Sequence, residues 1–305
     1  MKYLVIVNPI SGRGYAEKAV PSIEDALKAN HLDYDLVRTE RPWHAAEIAE
    51  QAAQDGYDVV VTASGDGTAN EALNGLMRAR TSGFDQTALG IIPVGTGNDL
   101  AYGMGIPDNL NETCLALAQN KRLVADIGLV KGGDYPEGRY FGNGVGIGFD
   151  AAVGFQAEKI TWARGLLAYL IAALQTVFLY YKAPIVDITY NGETLTKPSL
   201  MISIMNGKRM GGGFYMTPES SPSDGELDLC IVNEAPKLRI FQLIGLFLKG
   251  TQANEPEITT GRTKNIIAKA TKGTLPAHCD GETLCYEGQQ LEIEIIHQAL
   301  EFVTA

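Results

Sequence analysis

In the stretch VVVTASGDGTANEALNGL, residues 59–76, one aspartate stands between two glycines. Gly65 and Gly67 are expected to take positive φ and to let the backbone come close to a ligand. Successive amides in such a turn, followed by a helix N-terminus, form an anion site. Asp66 sharpens that chemistry, because a carboxylate beside phosphate oxygens is repelled unless a divalent cation such as Mg2+ lies between them. Asp99, just after the second glycine turn PVGTGND, suits the same charge balance, directly or through water. Thr68 with Glu71, and Thr96 with Asp99, have the spacing of a capping box. Either loop taken alone is therefore equally a well-capped helix start, worth ~1 kcal/mol. Two such loops after neighbouring strands favour the phosphate reading.

A second pair of carboxylates lies late in the chain. Asp280 and Glu282, in CDGETL, are two residues apart, which on a strand puts both on one face. Taken alone they read as a solvated loop pair. Next to bound phosphates either would serve as a general base. Other phosphate and nucleotide signatures are missing: there is no Gly-x-x-x-x-Gly-Lys-Ser/Thr run and no His-Arg-Asp loop, and GVGIGF at 144–149 lacks dinucleotide spacing.

The elements that must hold these residues are legible as patterns. YLVIV, YDLVRT, DVVVTA and LGIIPV are apolar runs alternating with helical segments, the sign of an α/β region with a mostly parallel sheet covered on both faces. Ligands bind at the carboxyl ends of such strands. NPISGRG, SGDGT and PVGTGND all sit there, so they are expected to converge on one edge. From about residue 126 the texture becomes short alternating runs (RYFGNGVGIGF, IVDITYNGETL, SLMISIMNG, ELDLCIV, NIIAKAT, LEIEIIH), a β-rich antiparallel second domain with inserted helices near 160–181 and 238–248. The division expected is 1–125, joined by the C-terminal segment 296–305, and 126–295.

Composition narrows the function. Hydrophobic residues are 45% and charged residues 20%, enough for sizeable cores, and 305 residues suit two domains. A net charge of −11 with no basic run argues against a nucleic-acid partner. It also confines any membrane contact to a local patch. Cys114, Cys230, Cys279 and Cys285 form no Cys-x-x-Cys pair and read as reduced cytosolic thiols. The N-terminal apolar run lacks a cleavage site and reads as a strand, not a secretion signal. GLLAYLIAALQTVFLYY, 165–181, is marginal for ~30 Å of hydrocarbon and reads as a buried or interfacial helix, not a span.

VNPISGRG, SGDGTANEALNGL and IIPVGTGNDLA resemble the three signature blocks of the diacylglycerol kinase catalytic domain of bacterial lipid kinases. Sphingosine kinases and, more distantly, NAD kinases share the glycine-aspartate-glycine core. NGKRMGGGFYMTPESSPSDGELDLCIV, 206–232, and CDGETL are similar to that family's second-domain motifs. Ser64 departs from the pattern, where the family usually has another glycine. The resemblance implies a Mg2+-dependent kinase with ATP between two domains and a lipid such as diacylglycerol as acceptor. It implies a cytoplasmic location, peripheral at the inner face of the membrane, and a homodimer. Asn8, Pro9, Ser11, Gly12, Thr39, Gly65, Gly67, Thr68, Asn70, Glu71, Gly95, Thr96, Gly97 and Asn98 would surround the nucleotide with Asp66. Asp126 would join Asp66 and Asp99 in an aspartate–water–Mg2+ network. Asp224 would hold a structural Mg2+ in the second domain, helped by main-chain oxygens near Ser221 and Glu226, although SPSDGEL also reads as an ordinary turn. Asp280 or Glu282 would be the base. The competing expectations are a kinase for a soluble acceptor such as NAD, and a non-catalytic nucleotide- or lipid-binding module.

Overall fold

The structure, a computed structural model, describes residues 1–160, 162–163, 165–179 and 183–305. The chain divides into two compact units, Met1–Ile127 with His297–Ala305, and Gly128–Ile296.

In the first unit, strands β1 (Lys2–Val7), β2 (Asp33–Arg38), β3 (Val59–Ser64) and β4 (Ala88–Pro93) run parallel in the order β2-β1-β3-β4. Helices α1 (Ser11–Ala29), α2 (His44–Gln54) and α3 (Asp66–Thr81) make the crossovers, and α4 (Asp99–Gly103) and α5 (Leu110–Gln119) follow β4. Covered on both faces, β3 is buried along its whole length, which is why its sequence is apolar without alternation. Tyr3, Val5, Val7, Ile23, Leu27, Val61 and Ile92 are among the buried side chains of this core.

Strand β5 (Lys121–Gly132) leads into the second unit, where β6 (Tyr135–Phe141), β7 (Gly144–Gly148), β8 (Ile185–Tyr190) and β9 (Glu193–Met205) follow, interrupted after β7 by α6 (Phe149–Ala157) and α7 (Gly165–Leu179). Strand β9 serves two sheets: residues 193–198 pair with β8, and 201–205 pair with β7. The short hairpin β10 (Arg209–Met210) and β11 (Phe214–Tyr215) precedes β12 (Leu227–Asn233), α8 (Lys237–Lys249), β13 (Ile258–Thr263) and β14 (Asn265–Lys272). β15 (Leu275–Cys279) and β16 (Glu282–Gly288) form a hairpin before β17 (Gln290–Thr304). Strands β7, β8 and β9, and β12 to β16, pair antiparallel, as do β5 with β6 and β14 with β17. One core lies within the sheets, around Ile147, Ile204, Leu229 and Ile266. Another is sealed by α6, α7 and α8 over Leu200, Met201 and Val232. The architecture is the expected one, a parallel α/β unit and an antiparallel β-rich unit with inserted helices.

Strand β17 runs on into the first unit, where Phe302 pairs in parallel with Leu89 of β4. The helix expected near 160–181 is α7; residues 161, 164, 180 and 181 of that stretch lie outside the described residues. Among the described residues no helix is long and apolar enough to cross a membrane. Leu166, Leu167, Leu174, Phe178 and Leu179 of α7 are exposed while Ala168, Ala172, Ala173, Thr176 and Val177 are buried.

Candidate functional site

The three glycine bends meet where β1, β3 and β4 end. The Asn8 amide donates to Thr68 Oγ1 at 2.7 Å, joining the first bend to the second. Asp66 Oδ1 accepts the Leu100 N–H at 2.9 Å, joining the second to the third. A Cβ on Gly12 would stand 2.6 Å from the Val94 carbonyl, so the first bend also touches the third. Gly95 and Gly65 pass so closely that a Cβ on Gly95 would strike Gly65 Cα. Asn98 closes its own bend by accepting the Gly95 N–H at 3.1 Å.

Two local expectations fail here. Neither glycine that flanks Asp66 has positive φ: Gly65 is extended, with φ −95°, and Gly67 lies in the first turn of α3. Left-handed backbone belongs instead to the first bend, where Gly12, Arg13 and Gly14 have φ of 58°, 57° and 81°. The capping boxes are also absent. Helix α3 starts at Asp66 behind Gly65, and α4 starts at Asp99 behind Asn98, each without a side-chain cap. Thr68 is held by Asn8, and Glu71 Oε2 accepts the Ala45 N–H at 3.2 Å in the first turn of α2. Glu71 thus satisfies one of the amides that a helix start leaves open.

Asp66 and Asp99 converge. A Cβ at Gly97 would lie 2.9 Å from Asp66 Oδ2 and 3.5 Å from Asp99 Oδ2. Two carboxylate oxygens therefore face a spot that only glycine leaves open, beside the N-terminus of the 16-residue α3. That donor set fits a hard divalent cation that keeps most of its water and bridges to phosphate. Ser11, Thr39, Asn70 and Thr96 belong to the same strand-end region; Thr39 is fixed by its N–H on the Val7 carbonyl at 2.9 Å, and Asn70 is buried. Ser64, the departure from the family pattern, is buried at the end of β3, and its hydroxyl donates to the Gly65 carbonyl at 3.1 Å. Asp126 is fully buried, and its Oδ1 takes His297 Nδ1 and the Gln298 N–H, both at 2.7 Å.

In the second unit the pair at 280 and 282 is not on one face of a strand. Asp280 and Gly281, with φ of 48° and 82°, are the two-residue turn between β15 and β16, and Cys279 pairs with Glu282. An Asp-Gly turn with both residues left-handed matches the twist of a tight hairpin, a signal that CDGETL carried and the strand reading overlooked. The consequence is a division of roles. Asp280 is 4% exposed, and its carboxylate accepts the N–H groups of Gly142, Asn143 and Gly144 at 2.9, 3.0 and 2.9 Å. Glu282 is exposed at the start of β16. Glu158, at the end of α6, has its carboxyl raised by burial and by the charge of Glu282.

An apolar pocket of about 570 Å³, its mouth included, lies among α6, α7, α8 and the β10–β11 hairpin. Phe149, Tyr169, Met201, Phe214, Leu243 and Phe247 are among its walls, and among the described residues Asp150 is the one carboxylate on them. Asp150 Oδ2 is 3.3 Å from His278 Nε2, both side chains nearly buried. Sequence reasoning passed over both residues, since nothing in their spacing joins position 150 to 278.

Two of the residues taken for a second-domain metal site, Asp224 and Glu226, pair with an arginine. The Arg262 guanidinium meets Asp224, Glu226 and Asp228, and Ser221 lies in the same turn. Among the described residues no group of three or more His, Cys, Asp or Glu is arranged to hold a metal ion.

Comparison with known proteins agrees with this architecture. Residues 2–130 match the model of the diacylglycerol kinase catalytic domain, and residues 143–304 match that of the YegS C-terminal NAD kinase beta sandwich-like domain. A diacylglycerol kinase of Mycobacterium tuberculosis is 27% identical over 285 residues, 93% of this chain and 89% of that protein. One from Bacillus subtilis is 26% identical over 280 residues, 91% of this chain and 88% of that protein. Among solved structures, a candidate diacylglycerol kinase from Bacillus anthracis superposes with a TM-score of 0.79 at 25% identity, covering 100% of this chain and 97% of that one. The fold is that of a two-domain kinase. More narrowly, the chain belongs to the diacylglycerol kinase family, with the catalytic domain followed by the sandwich-like C-terminal domain.

Proposed function

We propose that this kinase transfers the γ-phosphate of ATP to the hydroxyl of a membrane lipid such as diacylglycerol. The observation that carries the nucleotide end is the convergence of three glycine bends over Asp66 and Asp99, with bare Gly97 between their outer oxygens. Mg2+ held there would offset the charge of the phosphates, which is most of what phosphoryl transfer asks of a protein. Asn8, Thr68, Gly95 and Asn98 fix the bends, so that main-chain amides are aimed before the nucleotide arrives. Asp126 ties the C-terminal segment to its strand through His297 and Gln298.

The acceptor end lies in the second unit. The described walls of the pocket between α6, α7 and α8 are apolar residues apart from Asp150 and Tyr169, which suits an acyl chain far better than a nicotinamide dinucleotide. Glu282 is the base. It is exposed and carried on a hairpin whose turn residue, Asp280, is locked by three N–H groups and has no reason to leave them. Glu282 takes the proton of the acceptor hydroxyl as its oxygen bonds to the γ-phosphorus and the bond to the ADP oxygen breaks. Such a base contributes ~10²–10⁴-fold.

A bilayer suits the outer face of the same helices. Trp162, Phe178, Leu179 and Leu238 are 65–74% exposed. The segments 159–186 and 235–254 contain no Asp or Glu in a chain of net charge −11, yet they carry Lys159, Arg164, Lys182, Lys237, Arg239 and Lys249. Arg239 is paired with Glu255 and Glu257, whereas Lys237 lies 5.0 Å above the Phe178 ring. Segments that pair apolar residues with cations and lack acids suit the lipid headgroup boundary, consistent with a peripheral position at an anionic leaflet.

The test is phosphorylation from labelled ATP of a lipid panel in mixed micelles, beside NAD, with and without Mg2+, and mass identification of the product. A phosphorylated lipid is expected. Phosphorylated NAD with no lipid product would favour the soluble-acceptor reading, and ATP binding without any product would favour a binding module.

A further inference from the structure

The turn Ser-Pro-Ser-Asp-Gly-Glu at 221–226 matches the family block to which the resemblance attaches a structural Mg2+, held by the Asp224 carboxylate and main-chain oxygens near Ser221 and Glu226; in this chain a side-chain cation meets that Asp224 carboxylate and two neighbouring acids. The three guanidinium nitrogens of Arg262 each meet a different acid. Nη2 contacts Asp224 Oδ2, Nη1 lies 3.1 Å from Glu226 Oε2, and Nε lies 3.4 Å from Asp228 Oδ1. This is not a chance swing of a long surface side chain. Arg262 on β13 stands directly opposite Asp228 in the register with β12, so the sheet itself aims the stem at the turn. The other Asp224 oxygen is also used, accepting the Glu226 N–H at 3.2 Å. A planar fork of donors matches several carboxylates at once. Mg2+ instead demands oxygens pointing at one centre, ~2.0–2.1 Å away, in octahedral order. A fixed positive charge among those oxygens repels a second cation.

We propose that Arg262 takes the place of the divalent ion in this turn, so that the second unit carries its own counter-cation and folds without metal. The need for Mg2+ then falls on the first unit alone. Singly, exposed ion pairs contribute little; here the cost of losing Arg262 is the mutual repulsion of three acids, of which Asp228 already has its carboxyl raised, first by burial.

The experiment is thermal unfolding of the nucleotide-free protein in EDTA and in millimolar Mg2+ or Ca2+, which reads folding and not activity. Wild type is expected to melt at the same temperature in both, and Asp224→Asn to leave the calorimetric heat of Mg2+ binding unchanged. Arg262→Met is expected to melt lower in EDTA and to regain most of the loss when divalent cation is added, because the bared acids can then bind it. Arg262→Lys keeps a cation in place and is expected to stay insensitive to metal. A wild-type midpoint that falls in EDTA, with Asp224→Asn abolishing that fall, would overturn the proposal. So would an Arg262→Met protein that melts like wild type with and without metal.

Discussion

One methyl group at Gly97 tests the nucleotide end of the proposed function. In Gly97→Ala the new Cβ would stand 2.9 Å from Asp66 Oδ2 and 3.5 Å from Asp99 Oδ2. Both are the ends of side chains, which can give by a few tenths of an ångström. Gly97 is also not among the left-handed glycines, so alanine brings no φ strain. The cost to folding is then small, about 0.5 kcal/mol. The cost to the ligand is larger, because the methyl fills the space that the two oxygens face and pushes them off their common target. Losing one charge-assisted interaction there is worth ~1.5–3 kcal/mol, which at ~1.4 kcal/mol per decade means roughly 10- to 150-fold weaker binding. Gly95→Ala gives the contrast, since its Cβ strikes the Gly65 backbone and should cost ~1–3 kcal/mol of stability by overpacking. Titration calorimetry with Mg-ATP, alongside thermal melts, reads the two effects separately. A folded Gly97→Ala protein with undiminished affinity for Mg-ATP would refute the assignment of Asp66 and Asp99.

The hairpin at 280–282 predicts opposite phenotypes for its two acids. Glu282→Gln should lower kcat by ~10²–10⁴ without moving the melting temperature. Asp280→Asn should lower stability first, by about 3 kcal/mol, because an amide cannot accept from three N–H groups as a carboxylate does; the reverse pattern in kinetics and melts would reassign the base. The buried cysteines predict an alkaline effect. Burial raises Cys114 to about 11 and Cys230 to about 12, whereas unfolded thiols ionise near ~8.5. The folded state therefore holds those protons longer, so this contribution is complete below ~8.5 and is lost as pH rises toward 11–12. Urea unfolding across that window should show the decline, and a Cys114→Ala, Cys230→Ala variant should show less of it; equal slopes would contradict the assignment.

What the sequence alone determined was local. Runs such as VVVTA and LGIIPV had to be strands buried on both faces, and three glycine bends had to follow strand ends, because side-chain periodicity and turn chemistry act within a few residues. That placement was enough to expect the bends at one edge of a parallel sheet. It was not enough to assign backbone conformation: the left-handed residues fell in the first bend and not around Asp66, since the close passage of Gly65 and Gly95 uses the missing side chain and not a positive φ. Tertiary structure alone decided which acids remain available. Asp280 is spent on amides some 137 residues away, Asp126 on His297, and Asp224 on Arg262. Such pairings depend on strand register and on the return of β17, which no local pattern records. A carboxylate looks the same in a sequence whether it meets water, an amide or an arginine; only the neighbours brought by folding distinguish the three.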